Sequence, residues 1–195
     1  MDTHKRQLYP DEEYGLWLLL MRTYRALAKT RERELLRFGI SVETGAILLT
    51  VFRQGELATP ANIARELILE PHSVSQQLTR MEEKGLITKV KDLERKNQVR
   101  IQLTEEGYRN YLRSIRRSLT GNVMSVLSPG EQRLMWELLS RLRERALRKL
   151  GMEKTTVYPP SDPRELRTGF PAEESKPRKI RKKPLSAMST AVSRS

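Results

Sequence analysis

The sequence predicts a mainly α fold carrying one small β-hairpin, an α+β architecture, and three observations lead there. Apolar residues recur at helical spacing through most of the first 150 positions. One stretch, residues 86–104, switches to the alternation of strands. The helical runs are bracketed by residues that satisfy or terminate the orphan backbone groups of helix ends.

The first helix opens on Asp11-Glu12-Glu13, carboxylates that suit the positive end of a helix dipole. Tyr14, Trp17, Leu18, Met21, Tyr24 and Ala28 share one face, and Leu16, Leu19, Leu20 and Leu27 fill a second. A helix apolar on two faces needs cover on two sides, which in a chain of this size points to helices from a second copy. Gly39 ends the run, and a second helix spans Val42 to Arg53 before Gly55 breaks it. Thr59-Pro60 is an N-cap followed by proline at the first helical position, opening a short helix through Ile63, Ala64 and Leu67. Pro71 opens the next, closed by Gly85. Its Val74, Leu78 and Met81 face a core at i, i+4 and i+7, so His72, Ser73, Ser75, Gln76, Thr79 and Arg80 project from the other faces.

Two strands follow, Leu86–Lys91 and Val99–Thr104, with Ile87, Val90, Val99, Ile101 and Leu103 as the apolar positions and Arg95, Lys96 and Asn97 in the loop. Thr104 caps a run read as one long helix, through Tyr108, Tyr111, Leu112, Ile115, Leu119 and Val123 to Leu127. Ser128-Pro129-Gly130-Glu131 has the form of a capping box and starts a last helix, striped by Leu134, Leu138, Leu142 and Ala146. Leu139, Leu147 and Leu150 lie nearby.

Helix, short helix, polar-faced helix and basic hairpin, in that order, make a winged helix-turn-helix. A helix of this kind lays short polar side chains against base edges in the major groove while arginine and lysine hold phosphates. A basic hairpin tip reaches the backbone or the negative minor groove. The expected organisation is an N-terminal arm (1–10), dimerisation helices (11–38 and 104–150), a winged helix-turn-helix region (42–103) and a tail without fixed structure (151–195). The formal net charge of +13 divides accordingly. Residues 1–150 hold 27 basic and 19 acidic residues, or +8, and residues 151–195 hold 10 and 5, or +5. The tail also holds six of the ten prolines, and too few apolar residues to offset its ordering entropy. Its Lys176, Arg178, Lys179, Arg181, Lys182 and Lys183 are candidates for non-specific phosphate contacts.

Several function classes are excluded or disfavoured. The absence of cysteine removes disulfides, thiolate metal sites and cysteine nucleophiles. His4 and His72 are the only imidazoles, so no metal or cofactor is expected. No glycine-rich phosphate loop follows a strand and no nucleophile–histidine pairing is evident, so an enzyme is not expected. The longest apolar run, Leu16–Met21, is too short to cross a bilayer, and with no apolar leader the expectation is a cytoplasmic protein without a membrane partner.

With these residues in place, the chain resembles the MarR family of winged-helix transcriptional regulators over about residues 10–150. The likeness is carried by SVSQQLTRMEEKGLITKVKDLERKNQVRIQLTEEG (73–107) and LSPGEQRLMWELLSRL (127–142). The resemblance implies a homodimer on a pseudo-palindromic operator in double-stranded DNA. It also implies a repressor, released in many members by a small aromatic, often anionic, ligand between the dimerisation and DNA-binding parts. Trp17, Tyr24, Tyr108 and Tyr111 are candidates for such a pocket; aromatic residues at helical spacing also serve as plain core. The sequence departs from the family pattern at two places. Arg95-Lys96 stand where the wing usually has an Asp-Arg pair, and Gln76 stands where many recognition helices have arginine. Glutamine suits adenine and arginine suits guanine, so base preference should differ. The alternative expectation is a non-specific nucleic-acid-coating protein that uses wing and tail together through counterion release.

Overall fold

The computed structural model describes residues 11–92, 98–116, 118–152 and 157–167. Helix α1 (Glu12–Leu36) begins where the Asp11 carboxylate accepts the Tyr14 amide at 2.8 Å. The chain turns through Gly39, whose φ of 68° is costly for a residue with a Cβ, and Ser41 caps α2 (Val42–Gln54). After a 3-10 turn (Gly55–Leu57), Thr59 caps α3 (Pro60–Leu67) with proline in the first turn, and Pro71 begins α4 (Pro71–Glu83). Strands β1 (Ile87–Asp92) and β2 (Gln98–Leu103) pair antiparallel, from Ile87 opposite Leu103 to Asp92 opposite Gln98. The Ile101 amide donates to the Ala58 carbonyl at 2.8 Å, tying the hairpin to the start of α3.

These elements close around one core. Ile47, Leu48 and Val51 of α2, Ile63 and Ala64 of α3, and Val74, Leu78 and Met81 of α4 are buried with Ala58, Ile87, Ile101 and Tyr111. The three α4 positions are those its helical spacing selects. Fully burying an aliphatic side chain of this size stabilises by about 1.5–3 kcal/mol, so the cluster is the main holding force of this half.

Helix α5 (Glu105–Ser114) is placed by two constraints at its start. The Thr104 hydroxyl accepts the Gly107 amide at 3.0 Å and donates to the Gly85 carbonyl at 2.6 Å. A Cβ on residue 107 would overlap the Leu86 carbonyl, so only glycine lets the helix lie this close to the hairpin. Tyr111 carries α5 into the core beside Phe52. Although the sequence groups this helix with the dimerisation part, it packs on the winged-helix core.

The long helix expected from Thr104 to Leu127 is two helices. Helix α5 stops at Ser114, and α6 (Ser118–Met124) starts anew. The cause lies in α1. The Arg31 guanidinium donates to the carbonyls of Ser114 and Arg116 while bonding Glu34 at 2.5 Å, so carbonyls at the end of α5 find their donor in another helix. Glu34 is itself buried.

Helix α7 (Pro129–Lys149) opens on the full capping box expected at Ser128 and Glu131. The exchange of bonds with Ser128 holds the Glu131 carboxyl below the usual carboxylate range. Most of the apolar residues of α1 and α7 stay at the surface. Tyr14, Leu16, Trp17, Leu19 and Tyr24 of α1 are exposed, as are Leu134, Leu138, Leu139 and Leu142 of α7, whereas Leu147 is buried.

Composition reads everything beyond residue 150 as a structureless tail. Residues 157–167 instead lie against the folded part and end in a 3-10 helix (Pro163–Arg167). Gly151, with φ of 68°, ends α7 as the Met152 amide returns to the Leu147 carbonyl at 2.9 Å. The Trp136 indole then donates to the Ser161 carbonyl at 2.8 Å, and Arg143 donates to the Pro159 carbonyl at 2.6 Å. These donors sit seven residues apart on α7, so the returning chain runs back along a single stripe of that helix. The N-terminal arm (1–10) and the remaining tail residues lie outside the described residues.

Candidate nucleic-acid interface

The presentation of α4 follows from its own sequence. With Val74, Leu78 and Met81 turned into the core, His72, Ser73, Ser75, Gln76, Thr79 and Arg80 are all exposed. Two hydroxyls are satisfied within the helix: Ser75 donates to the Pro71 carbonyl at 2.9 Å, and Thr79 to the Ser75 carbonyl at 3.1 Å. Each oxygen keeps acceptor capacity for an outside donor. Gln76 Nε2 lies 2.9 Å from His72 Nε2, one turn back, which orders the glutamine amide without burying it. At the start of α4, Glu70 supplies no side-chain cap. Uncapped first-turn amides at the positive end of a helix suit a phosphate oxygen.

One contributor escaped the sequence. Lys89 of β1 donates to Glu82 at 2.8 Å and to the Thr79 hydroxyl at 3.3 Å, both on α4. The ammonium holds the Glu82 carboxyl below its ordinary range, chiefly through that hydrogen bond. Lys89 thus pins the wing's first strand to the helix that carries Gln76 and Arg80. Alternation puts Lys89 on the same face of β1 as Ile87, but only the fold shows that beyond the core this face meets α4. On β2, Arg100 is paired with Glu56 of the 3-10 turn. The predicted wing residues Arg95, Lys96 and Asn97, and the tail residues Lys176, Arg178, Lys179, Arg181, Lys182 and Lys183, lie outside the described residues.

The four aromatic pocket candidates separate. Tyr108 and Tyr111 come together with ring centroids 5.9 Å apart, and Phe52 of α2 joins them, stacked on Tyr111 at 4.2 Å and tilted to Tyr108 at 5.8 Å. Phe52 was invisible as a site residue because the sequence shows it only as one apolar position of a core helix. Trp17 instead stacks on Tyr14 at 5.6 Å, and Trp17 and Tyr24 are both exposed on α1. Burial, with smaller contributions from Tyr108 and Tyr158, pushes the Tyr111 phenol up to about 12.

Beside the aromatic group lies a buried charge cluster. Glu66 of α3 accepts from Arg53, from Gln54 Nε2 at 2.7 Å and from the Thr50 hydroxyl at 3.4 Å. It fixes α3 against α2, and it anchors a guanidinium whose Cζ lies 4.9 Å from the centroid of the Tyr158 ring.

Residues 42–107 match the winged helix DNA-binding domain. An uncharacterized HTH-type transcriptional regulator of Bacillus cereus is 26% identical over 137 residues, covering 69% of this chain and 90% of that protein. Among solved structures, an organohalide-sensing transcriptional regulator in its 2,4-dichlorophenol-bound form is 30% identical, with a TM-score of 0.68 over 78% of this chain and 95% of that one. A mutant MarR from E. coli complexed with operator DNA shares the fold at 16% identity, with a TM-score of 0.61 over 73% of this chain and 99% of that one. The helical body with its two-stranded wing, the polar face of α4 and these likenesses together establish that the chain belongs to the MarR family and is a winged-helix, DNA-binding transcriptional regulator.

Proposed function

We propose that the protein is a homodimeric repressor that binds a pseudo-palindromic operator and is released by a small aromatic ligand. The observation that carries the DNA reading is the continuous exposed row on α4, His72 to Arg80, braced from the wing by Lys89. Gln76 and Arg80 read bases and hold phosphate, Ser73, Ser75 and Thr79 add hydroxyls, and Arg95, Lys96 and Asn97 set the wing on the duplex. The exposed apolar residues of α1 and α7 support a second copy as their cover, and a twofold dimer matches a twofold site. Support for a ligand comes from the aromatic group Phe52, Tyr108 and Tyr111, and from the related organohalide-sensing regulator that was solved with 2,4-dichlorophenol bound.

Footprinting on the DNA upstream of its own coding region, at two salt concentrations, tests this. The expected result is a protected palindrome that persists when residues 151–195 are removed. Gln76→Ala should relax discrimination at one half-site position by about 1–3 kcal/mol. Lys96→Ala should weaken binding evenly and lower the salt slope by about 1. Sequence-blind protection that disappears with the tail would instead favour the coating protein.

A further inference from the structure

Among the described residues, one pair of side chains in the exposed row of α4 is bonded to each other. Gln76 Nε2 lies 2.9 Å from His72 Nε2, four residues back on the same face, and both side chains are exposed. Ser75 and Thr79 send their hydroxyl hydrogens to backbone carbonyls instead. Arg80 continues the line of His72 and Gln76 one turn further on.

Two nitrogens at this distance settle the direction of the bond. An amide nitrogen donates and does not accept, so the imidazole Nε2 is the acceptor. The bond is therefore that of a neutral ring with its proton on Nδ1. One amide N–H is engaged with His72, and Gln76 keeps its second N–H and Oε1 for an outside partner. A donor together with an acceptor matches adenine, through N7 and the N6 amino group. A second proton on the ring reverses the arrangement. Nε2 becomes a donor facing a donor, and the pair stays bonded only if Gln76 turns Oε1 toward the ring. An NH2 group with two donors and no acceptor then faces outward, which suits O6 and N7 of guanine. In the groove this choice is enforced, because a polar group cut off from water and left unmatched carries its full desolvation cost.

The charged groups on the elements packed against α4 are engaged elsewhere. Glu66 of α3 holds Arg53 and Gln54, Arg65 of α3 donates to Asn62 at 3.1 Å, and Lys89 of β1 is bonded to Glu82. On α4 itself, Glu70 stands at the N-cap and Arg80 lies two turns beyond His72. Among the described residues none of these forms an ion pair with His72, and Gln76 is the side chain bonded to its ring.

We propose that His72 is a positioning residue for base recognition. Its neutral ring holds the Gln76 amide so that a donor and an acceptor face the duplex and adenine is preferred, and protonation turns the amide so that two donors face it and guanine is preferred. This rests on the operator-binding reading above and adds to it a pH-dependent choice of base.

The test has one arm without DNA and one with it, both on the full chain. Nitrogen NMR reads the ring directly: His4 is the only other histidine, and a His4→Gln variant removes its signals. At about pH 8 the His72 ring should carry its proton on Nδ1, and Gln76→Ala should shift that proton toward Nε2. The second arm titrates the duplex protected in footprinting, and copies in which each A·T pair of a half-site is replaced by G·C. At the position that Gln76→Ala relaxes, the wild-type protein should prefer adenine by at least about fivefold at about pH 8. At about pH 5.5 that preference should vanish or reverse. Added positive charge raises affinity for every duplex at the lower pH, so the ratio between duplexes is the readout. His72→Gln keeps a polar partner that does not titrate and should give one ratio at both pH values. The proposal is overturned by a wild-type ratio that shows no adenine preference at about pH 8 or does not change with pH. It is equally overturned by a ratio that still changes in His72→Gln, or by a ring proton resting on Nε2 in the neutral protein. A protected palindrome with a constant ratio removes only the role of His72. Absence of any sequence preference at either pH is the failure of the operator-binding reading, and the role of His72 falls with it.

Discussion

The winged-helix half and the two long flanking helices solve opposite problems. Ile47, Leu48, Ile63, Leu78 and Ile101 are essentially without solvent contact, so the first half closes its own core. On α1 and α7, Leu16, Leu19 and Leu142 are 64%, 63% and 54% exposed, and those helices remain apolar surfaces in search of cover. One half closes on itself and holds α4 on a finished core, and the other leaves apolar side chains uncovered, as the proposed dimer requires. The contrast gives each mutation an expected signature. Damage in the first half should appear as lost folding stability, and damage in the second as lost association.

The largest effect is expected where the first half carries buried charge. Glu66→Ala leaves the Arg53 guanidinium, 15% exposed, without its carboxylate, and removes the acceptor for Gln54 and Thr50. Stranding one member of a buried pair costs roughly 3–5 kcal/mol, which urea unfolding would register as a lower midpoint with an unchanged slope.

Next comes a matched pair of leucines. Leu78→Ala, in the closed core, should cost about 2–5 kcal/mol through lost burial and the cavity left behind. Leu142→Ala, on the open helix, should shift unfolding of the separated protomer by less than about 0.5 kcal/mol, the range for surface substitutions. Its signature is a concentration-dependent shift toward monomer in analytical ultracentrifugation. Equal destabilisation by the two, with no change in association, would end the comparison.

A third effect depends on pH. The Tyr111 phenol holds its proton more tightly in the folded protein, at about 12, than in the unfolded chain, at about 10. A group raised in this way contributes its full stability below pH 10 and loses it as pH climbs toward 12. The loss should reach roughly 2–3 kcal/mol across that window. Unfolding curves at pH 9, 10.5 and 11.5 should therefore show wild type losing stability relative to Tyr111→Phe as pH rises, since phenylalanine has no proton to lose.

How far the sequence reveals this molecule depends on the range of the forces involved. The caps at Thr59, Thr104 and Ser128 act over three residues and are read directly from the chain. The inward positions of α4 follow from helical period alone, and with them the exposed row from His72 to Arg80. The break between α5 and α6 cannot be read locally, because the donor is Arg31, more than eighty residues away. Lys89 shows its charge in the sequence but not its partner Glu82. The returning segment 157–161 is hidden for another reason. Six prolines and a basic run set the average of residues 151–195, and that average conceals a few residues that find ready-made partners in Trp136 and Arg143.

The smallest effect concerns the turn that leads from α3 into α4. Ile68, at the end of α3, has φ of 55° and ψ of 45°, the left-handed region where a β-branched residue is an outlier costing of order 1–3 kcal/mol. It persists because its amide closes on the Ala64 and Arg65 carbonyls, while the Leu69 amide returns to Ala64 at 2.9 Å. At 45% exposed, the side chain gives back little through burial. Ile68→Gly removes the strain and adds freedom to the unfolded chain, two opposed terms that should leave a net gain of about 0.5–1 kcal/mol, or a few degrees in Tm. Operator affinity of the same variant separates two reasons for the isoleucine. Unchanged affinity with higher Tm means that the strain is merely tolerated by a core closed tightly enough to absorb it. Weaker affinity with higher Tm means that the stiff turn holds α4 at its angle, and that the complete half of the molecule gives up stability for aim.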